Sequence, residues 1–189
     1  MANFGIDIDD VIFKSSDVLK DALVKCEDKD ILEHKLDIMR GDILNKKIGD
    51  FLKKNVIPII KVAKPMENAS EIIKKIRKQS NKIIIITARG DLKFPGSEEI
   101  TLNLLKKYEI EYDDIIFNSD DKVKACKDND IDIFVDDSPK HCLSVSEDLG
   151  IPVIGFLSDI NREEMIQRKI RCVESWDELY EILNKKEWD

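Results

Sequence analysis

Short apolar runs recur along the chain, each followed by a stretch with helical spacing of apolar and polar positions. Residues 4–8, 83–87, 115–117, 131–135, 153–156 and 170–173 are the strand candidates. Strands that alternate with helices predict a parallel sheet covered on both faces, a Rossmann-like α/β fold. Helix punctuation agrees with this rhythm. Ser97 precedes two glutamates, Ser138 precedes Pro139, Ser175 and Glu178 form a capping box, and Gly150 stands where a helix should stop.

Residues 13–64 break the rhythm. They carry no strand pattern and read as amphipathic helices, among them 18–26 and 43–53, with Pro58 and Pro65 framing the way out. The stretch exceeds an ordinary crossover, so it is expected to be an insertion over the end of the first strand. The predicted organisation is a core formed by residues 1–12 and 65–189 with a small helical cap at 13–64. The plainer reading is extra helices packed on the sheet.

Candidate chemistry falls at the strand ends, where open parallel sheets bind ligands. Asp7, Asp9 and Asp10 follow the first apolar run, and alternation puts Asp7 and Asp9 on one side of an extended chain. Thr87, Ala88 and Arg89 follow the run at 83–87. Lys122 stands at the expected start of the helix after the third strand, and Asp136 with Asp137 closes the fourth. Each has an ordinary reading taken alone: a strand-end hydroxyl, a solvated lysine, a capping pair of acids. Together they place two acidic clusters on neighbouring strand ends, which repel unless protons or a cation compensate them. Mg²⁺ suits such a site, because it takes carboxylate, carbonyl and water oxygens beside a substrate phosphate. Asp7 would then attack phosphorus while Asp9, held neutral near pH 7 by its neighbours, protonates the leaving oxygen. Thr87, Lys122 and the amides near Ala88 would hold the phosphoryl oxygens.

Composition narrows the partners. The chain has 189 residues, 42% hydrophobic and 37% charged, enough for one α/β core with a modest insertion. A net charge of -8 and a pI near 5.0 argue against nucleic-acid polymers and anionic membranes as partners. Cys26, Cys126, Cys142 and Cys172 are too scattered for a zinc site and read as reduced thiols. No signal-peptide pattern opens the sequence and no run is long enough to span a bilayer, so a soluble cytoplasmic protein is expected.

The ordered set Asp7-x-Asp9, Thr87, Lys122 and Asp136-Asp137 resembles the four motifs of haloacid dehalogenase superfamily phosphatases, over positions 4 to 137. The resemblance implies Asp7 as the nucleophile, Asp9 as the acid/base, and Thr87 and Lys122 as phosphate ligands. It implies Mg²⁺ held by Asp7, by the backbone carbonyl of Asp9 and by Asp136 or Asp137. Thr87-Ala88-Arg89, Asp121-Lys122 and residues 131–138 are similar to the 5'-nucleotidase branch that includes deoxyribonucleotidases, which implies nucleoside monophosphates as substrates. The sequence departs from that branch in its insertion, where Phe13 and Phe51 are the aromatic residues, while Trp176 and Trp188 lie near the C-terminus. Val11 and Asp10 stand where many relatives have threonine and glycine. Arg40 and Lys53 are the insertion's candidate contacts to the polar part of a substrate.

Other readings remain. The same residues would serve a phosphatase of another small phosphorylated metabolite, a phosphotransferase, or a catalytically weak binding protein on this fold. A receiver domain is disfavoured by order, since here the second acidic cluster follows both the threonine and the lysine.

Overall fold

A computed structural model describes residues 1–39 and 45–185. All six strand candidates are strands: β1 (Asn3–Ile6), β2 (Lys82–Ile86), β3 (Asp114–Ile116), β4 (Ile133–Asp136), β5 (Val153–Phe156) and β6 (Cys172–Val173). They form one sheet in the order β3-β2-β1-β4-β5-β6, with every neighbouring pair parallel. The α/β expectation therefore holds. Among the described residues no helix is long and apolar enough to cross a membrane.

Alternation along the strands sends successive apolar side chains to opposite faces. Phe4, Ile6, Ile83, Ile85, Ile133, Val135 and Ile154 share one buried cluster with side chains of α5 (Ala69–Lys78), α6 (Ser97–Lys107) and α10 (Trp176–Lys185). Ile84, Ile86 and Phe134 face the other way, onto α7 (Lys122–Asp128) and α8 (Pro139–Leu149). The short helix α9 (Arg162–Gln167) buries Met165. A sheet buried on both faces needs apolar residues at nearly every strand position, which is why Lys82–Ile86 is lysine followed by four isoleucines.

Residues between β1 and α5 form α1 (Ser15–Val24), α2 (Lys29–Glu33), α3 (Lys35–Met39) and α4 (Lys46–Val62), around a separate cluster of Leu23, Ile31, Ile38, Ile48 and Leu52. The helix expected at 43–53 is α4, which runs further; Ile43 and Leu44 lie outside the described residues. Pro58 sits inside α4 rather than at its exit. The helix survives because Pro58 and Lys54 are both exposed, so water can take the carbonyl that a proline nitrogen leaves unbonded. Where the chain leaves and rejoins the sheet, Lys14 N donates to the Lys64 carbonyl (2.9 Å) and Met66 N to that of Ile12 (2.8 Å).

Helix starts follow the punctuation with one difference. Ser138 caps α8 beside Pro139, and Gly150 ends it at φ 64°. For α6 the capping residue is Gly96, not Ser97. Asp91 and Glu98 tie the start of that helix, each backbone N donating to the other's carboxylate at 3.0 Å.

Trp176 fastens the C-terminal helix to the loop after β1. It is fully buried, packs against Phe156 (ring centroids 5.7 Å apart), and its Nε1 donates to the Val11 carbonyl at 2.8 Å. Trp176→Phe keeps much of the ring contact but leaves that buried carbonyl unpaired, so a loss of about 1–3 kcal/mol is expected in urea unfolding. An unchanged midpoint would mean that the bond adds nothing net.

Candidate active site

The strand order reverses direction at β1: the chain next builds β2 and β3 on one side, then β4, β5 and β6 on the other. A crevice opens at such a switch point, beyond the carboxyl ends of the strands. Asp7 directly follows β1, Asp136 is the last residue of β4, and Asp137 comes next. A bond from Asp7 N to the Val135 carbonyl (2.9 Å) continues the β1–β4 pairing by one residue and sets the two acidic strand ends side by side.

Lys122 is what lets them stay there. Asp121 caps α7 by accepting from Lys124 N (2.9 Å), so the helix starts at the lysine and its side chain enters the sheet end. Lys122 is 2% exposed; its Nζ donates to Asp7 Oδ1 (2.5 Å) and to the Ile86 carbonyl, and lies 3.9 Å from Asp136 Oδ2. Burial pushes the Asp7 carboxyl up and Lys122 pulls it back, with Asp136 and Asp9 adding to the rise, for a pKa of about 6. Burial disfavours the charged lysine, but attraction to Asp7 and Asp136 outweighs it and its pKa is raised.

Asp9 differs from the expectation of a neutral carboxyl. Its backbone N donates to Asp7 Oδ2 (2.9 Å), while its own carboxylate is gripped by Arg89, Nη2 to Oδ1 at 2.6 Å and Nε to Oδ2 at 3.0 Å. Burial would raise this group, but the charge and two bonds of Arg89, with a bond from Ser15, hold it below the usual carboxylate range. The neighbouring acids that sequence reasoning counted are outweighed by a cation it did not count. In the sequence, Arg89 stands out only as the third residue of Thr87-Ala88-Arg89.

Thr87 follows β2 and is fully buried; its Oγ1 accepts from Arg89 N at 3.1 Å. Ala88 is half-buried in the same loop. The loop is fixed from β3, since Ser119 N donates to the Thr87 carbonyl (2.9 Å) and Asn118 N to that of Arg89 (2.7 Å). Asn118 lies so close over Gly90 that a Cβ there would come within 2.0 Å of its Oδ1, so any larger residue would have to displace the Asn118 side chain from its bonds with Leu92 N and Glu98.

Asp136 is buried; its Oδ1 accepts from Ser138 N (2.7 Å), and His141 Nδ1 lies 3.3 Å from Oδ2. His141 is a second neighbour that spacing in the sequence did not single out. Half-buried Asp137 is steadied through its carbonyl by the buried Asn161 (2.6 Å), which also bonds the Phe156 carbonyl. Burial first, then Asp136, Asp10, Asp7 and Asp9, push the Asp137 carboxyl well above its ordinary range. Asp10 turns the loop at φ 54° and is raised to about 6, chiefly by burial. This surplus of carboxylate oxygen fits a hard divalent cation. Among the described residues no three His, Cys, Asp or Glu side chains converge to hold a metal by themselves.

The expected contacts from the insertion are less developed. Phe13 is fully buried against Tyr108, so it offers no open ring to a ligand. Phe51 is half-buried and lines a groove of about 700 Å³ between α1 and α4. Lys53 is exposed on α4, and Arg40 and Trp188 lie outside the described residues.

No family model matches the chain. Two proteins are similar in sequence. "Putative nucleotidase YqfW" of Bacillus subtilis is 29% identical over 76% of this chain and 72% of its own. "Putative nucleotidase BH1399" of Halalkalibacterium halodurans is 26% identical over 84% and 81%. Among solved structures, a predicted phosphatase from Clostridium acetobutylicum superposes with TM-score 0.70 (12% identity, 97% of this chain and 98% of that one). A haloacid dehalogenase-like protein from Agrobacterium tumefaciens does so with 0.67 (11% identity, 98% and 99%). The chain has the haloacid dehalogenase fold. A phosphoserine phosphatase in the form of a phospho-aspartyl intermediate analogue shares that fold with TM-score 0.61 (17% identity, 97% and 98%).

Within this haloacid dehalogenase fold, Lys122→Met would strip the cation from buried Asp7 and raise its folded pKa further above the unfolded value. A fold that holds a proton more tightly than the unfolded chain loses stability as pH rises. The deficit, measured by urea unfolding in EDTA, should be about 3–5 kcal/mol at about pH 8 and shrink toward about pH 5 as Asp7 takes a proton. A deficit equal at both values would assign the lysine a packing role.

Proposed function

We propose that the protein is a Mg²⁺-dependent phosphomonoester hydrolase that works through an aspartyl-phosphate on Asp7 and acts on nucleoside monophosphates. The observation that carries this reading is the Asp7 carboxylate at the switch point, bonded to Lys122 and set beside the Asp136–Asp137 strand end. The fold shared with phosphatases supports the reaction class, and the two relatives named as nucleotidases favour the substrate. Residues 13–64 are assigned to a cap over the strand ends.

Asp7, Asp136 or Asp137, and the backbone carbonyl of Asp9 would hold Mg²⁺. The bound ion would screen the repulsion between the Asp7 carboxylate and the phosphate. Asp7 forms a bond from a carboxylate oxygen to phosphorus as the bond to the leaving oxygen breaks, and Asp9 gives that oxygen its proton. Asp9 begins ionised beside Arg89, so it must first take that proton, from solvent or from the monoanionic phosphate of the entering substrate, whose negative charge raises the proton affinity of the carboxylate. Water then attacks the phosphoryl group, Asp9 takes the proton of that water, and phosphate leaves with Asp7 restored. Lys122 and Thr87, with the amides near Ala88, hold the phosphoryl oxygens where charge must be stabilised.

Phosphate release is measured from nucleoside monophosphates, sugar phosphates and an aryl phosphate, with Mg²⁺ or with EDTA. Release should stop in EDTA and fall at least about a thousandfold in Asp7→Asn, whose melting temperature should stay near that of the wild type. Turnover by Asp7→Asn at the wild-type rate would remove the covalent mechanism, and preference for a non-nucleotide would reassign the substrate. Asp9→Asn should slow alkyl phosphates most, because an aryl leaving group needs little protonation. A uniform loss would contradict the acid role.

A further inference from the structure

Arg89 is 4% exposed, although it carries a full charge, whereas the Asp9 side chain bonded to it is 42% exposed. The cation therefore lies beneath the carboxylate and not between it and solvent. Its guanidinium is braced on further sides: Nη1 donates to Thr101 Oγ1 on α6 (3.3 Å) and Nη2 to Ser15 Oγ at the start of α1 (3.2 Å). Its backbone is fixed by the Thr87 hydroxyl and by Asn118. A two-point bond between a planar guanidinium and a carboxylate fixes the carboxylate's plane as well as its place. Arg89 and Ser15 together take three of the roughly four lone-pair sites of the carboxylate, so one remains on the exposed side to take or give a proton.

From this geometry we infer that Arg89 is a positioning residue, a buried backstop that holds the Asp9 carboxylate up to the reacting oxygen. The inference rests on the acid/base reading of Asp9 given above, and it concerns where that group is held. Arg89 acts through Asp9 and does not touch the substrate. Loss of Arg89 should therefore reproduce, in weaker form, the loss of Asp9, and the two losses should not multiply.

The test compares wild type, Asp9→Asn, Arg89→Met, Arg89→Lys and the double variant Asp9→Asn/Arg89→Met on one alkyl and one aryl phosphate with Mg²⁺. Arg89→Met is expected to lower kcat about 10- to 100-fold on the alkyl ester and less than about threefold on the aryl ester, within the range a general acid supplies. Arg89→Lys, which keeps the charge but not the two-point grip, should fall between Arg89→Met and wild type with the same leaving-group pattern. On the Asp9→Asn background, Arg89→Met should add less than about twofold. Equal losses on both esters, or losses that multiply in the double variant, would overturn the inference and assign Arg89 to substrate contact or to folding. If Arg89→Met does not fold, the leaving-group pattern of Arg89→Lys decides alone. A leaving-group pattern absent from Asp9→Asn itself would instead sink the acid/base reading, so the two failures are distinguishable.

Discussion

Gathering carboxylates at the middle of a buried sheet is possible only because one ammonium group is buried with them. Asp7 and Asp136 come from adjacent strands and are both nearly inaccessible, so two carboxylates held this close and this dry need a counter-charge. Lys122 reaches both, and it can do so because Asp121 starts α7 at that residue, directly after β3. The charge of Asp7 thus depends on a helix start two strands away in the sheet. Arg89 plays the corresponding part for Asp9 from the β2 side, so the two cations sort the acids into separately held groups.

Much of this was legible along the chain because it follows from local pattern. Runs such as Lys82–Ile86 declare buried parallel strands, and acids or hydroxyls directly after such runs must lie at the sheet's carboxyl edge. What escaped was long-range pairing. The grip of Arg89 on Asp9 joins residues 80 apart and arises from the pairing of β1 with β2, so no spacing rule points to it; the ionised state of Asp9 was misjudged for the same reason. His141 beside Asp136 is only five residues away, but it depends on how α8 leaves the strand. Ser97 looked like a capping residue because serine commonly is one, whereas the bonds at that helix start come from Asp91 and Glu98.

Two departures from the motif pattern are absorbed by their surroundings. Asp10 occupies φ 54°, a left-handed conformation that glycine adopts freely and aspartate tolerates, and its carboxylate accepts from Ser16 N at 2.9 Å. The acid thereby helps start α1. Val11 is fully buried, and its carbonyl is taken by the indole of Trp176. A residue at the far end of the chain therefore completes the loop that carries Asp9.

The paired stems at residues 12–14 and 64–66 have a consequence for descent as well as for folding. A chain that leaves the sheet and returns through neighbouring hydrogen-bonded stems closes its own gap, and beyond the stems it touches the core where α4 meets α6 and where Ser15 bonds Arg89. The cluster of Leu23, Ile31, Ile38, Ile48 and Leu52 is private to that appendage. Substitutions inside that cluster leave untouched the β1–β4 pairing that sets the carboxylates in register. A lineage built on such a frame can reshape that cluster without disturbing the strand ends that hold the carboxylates.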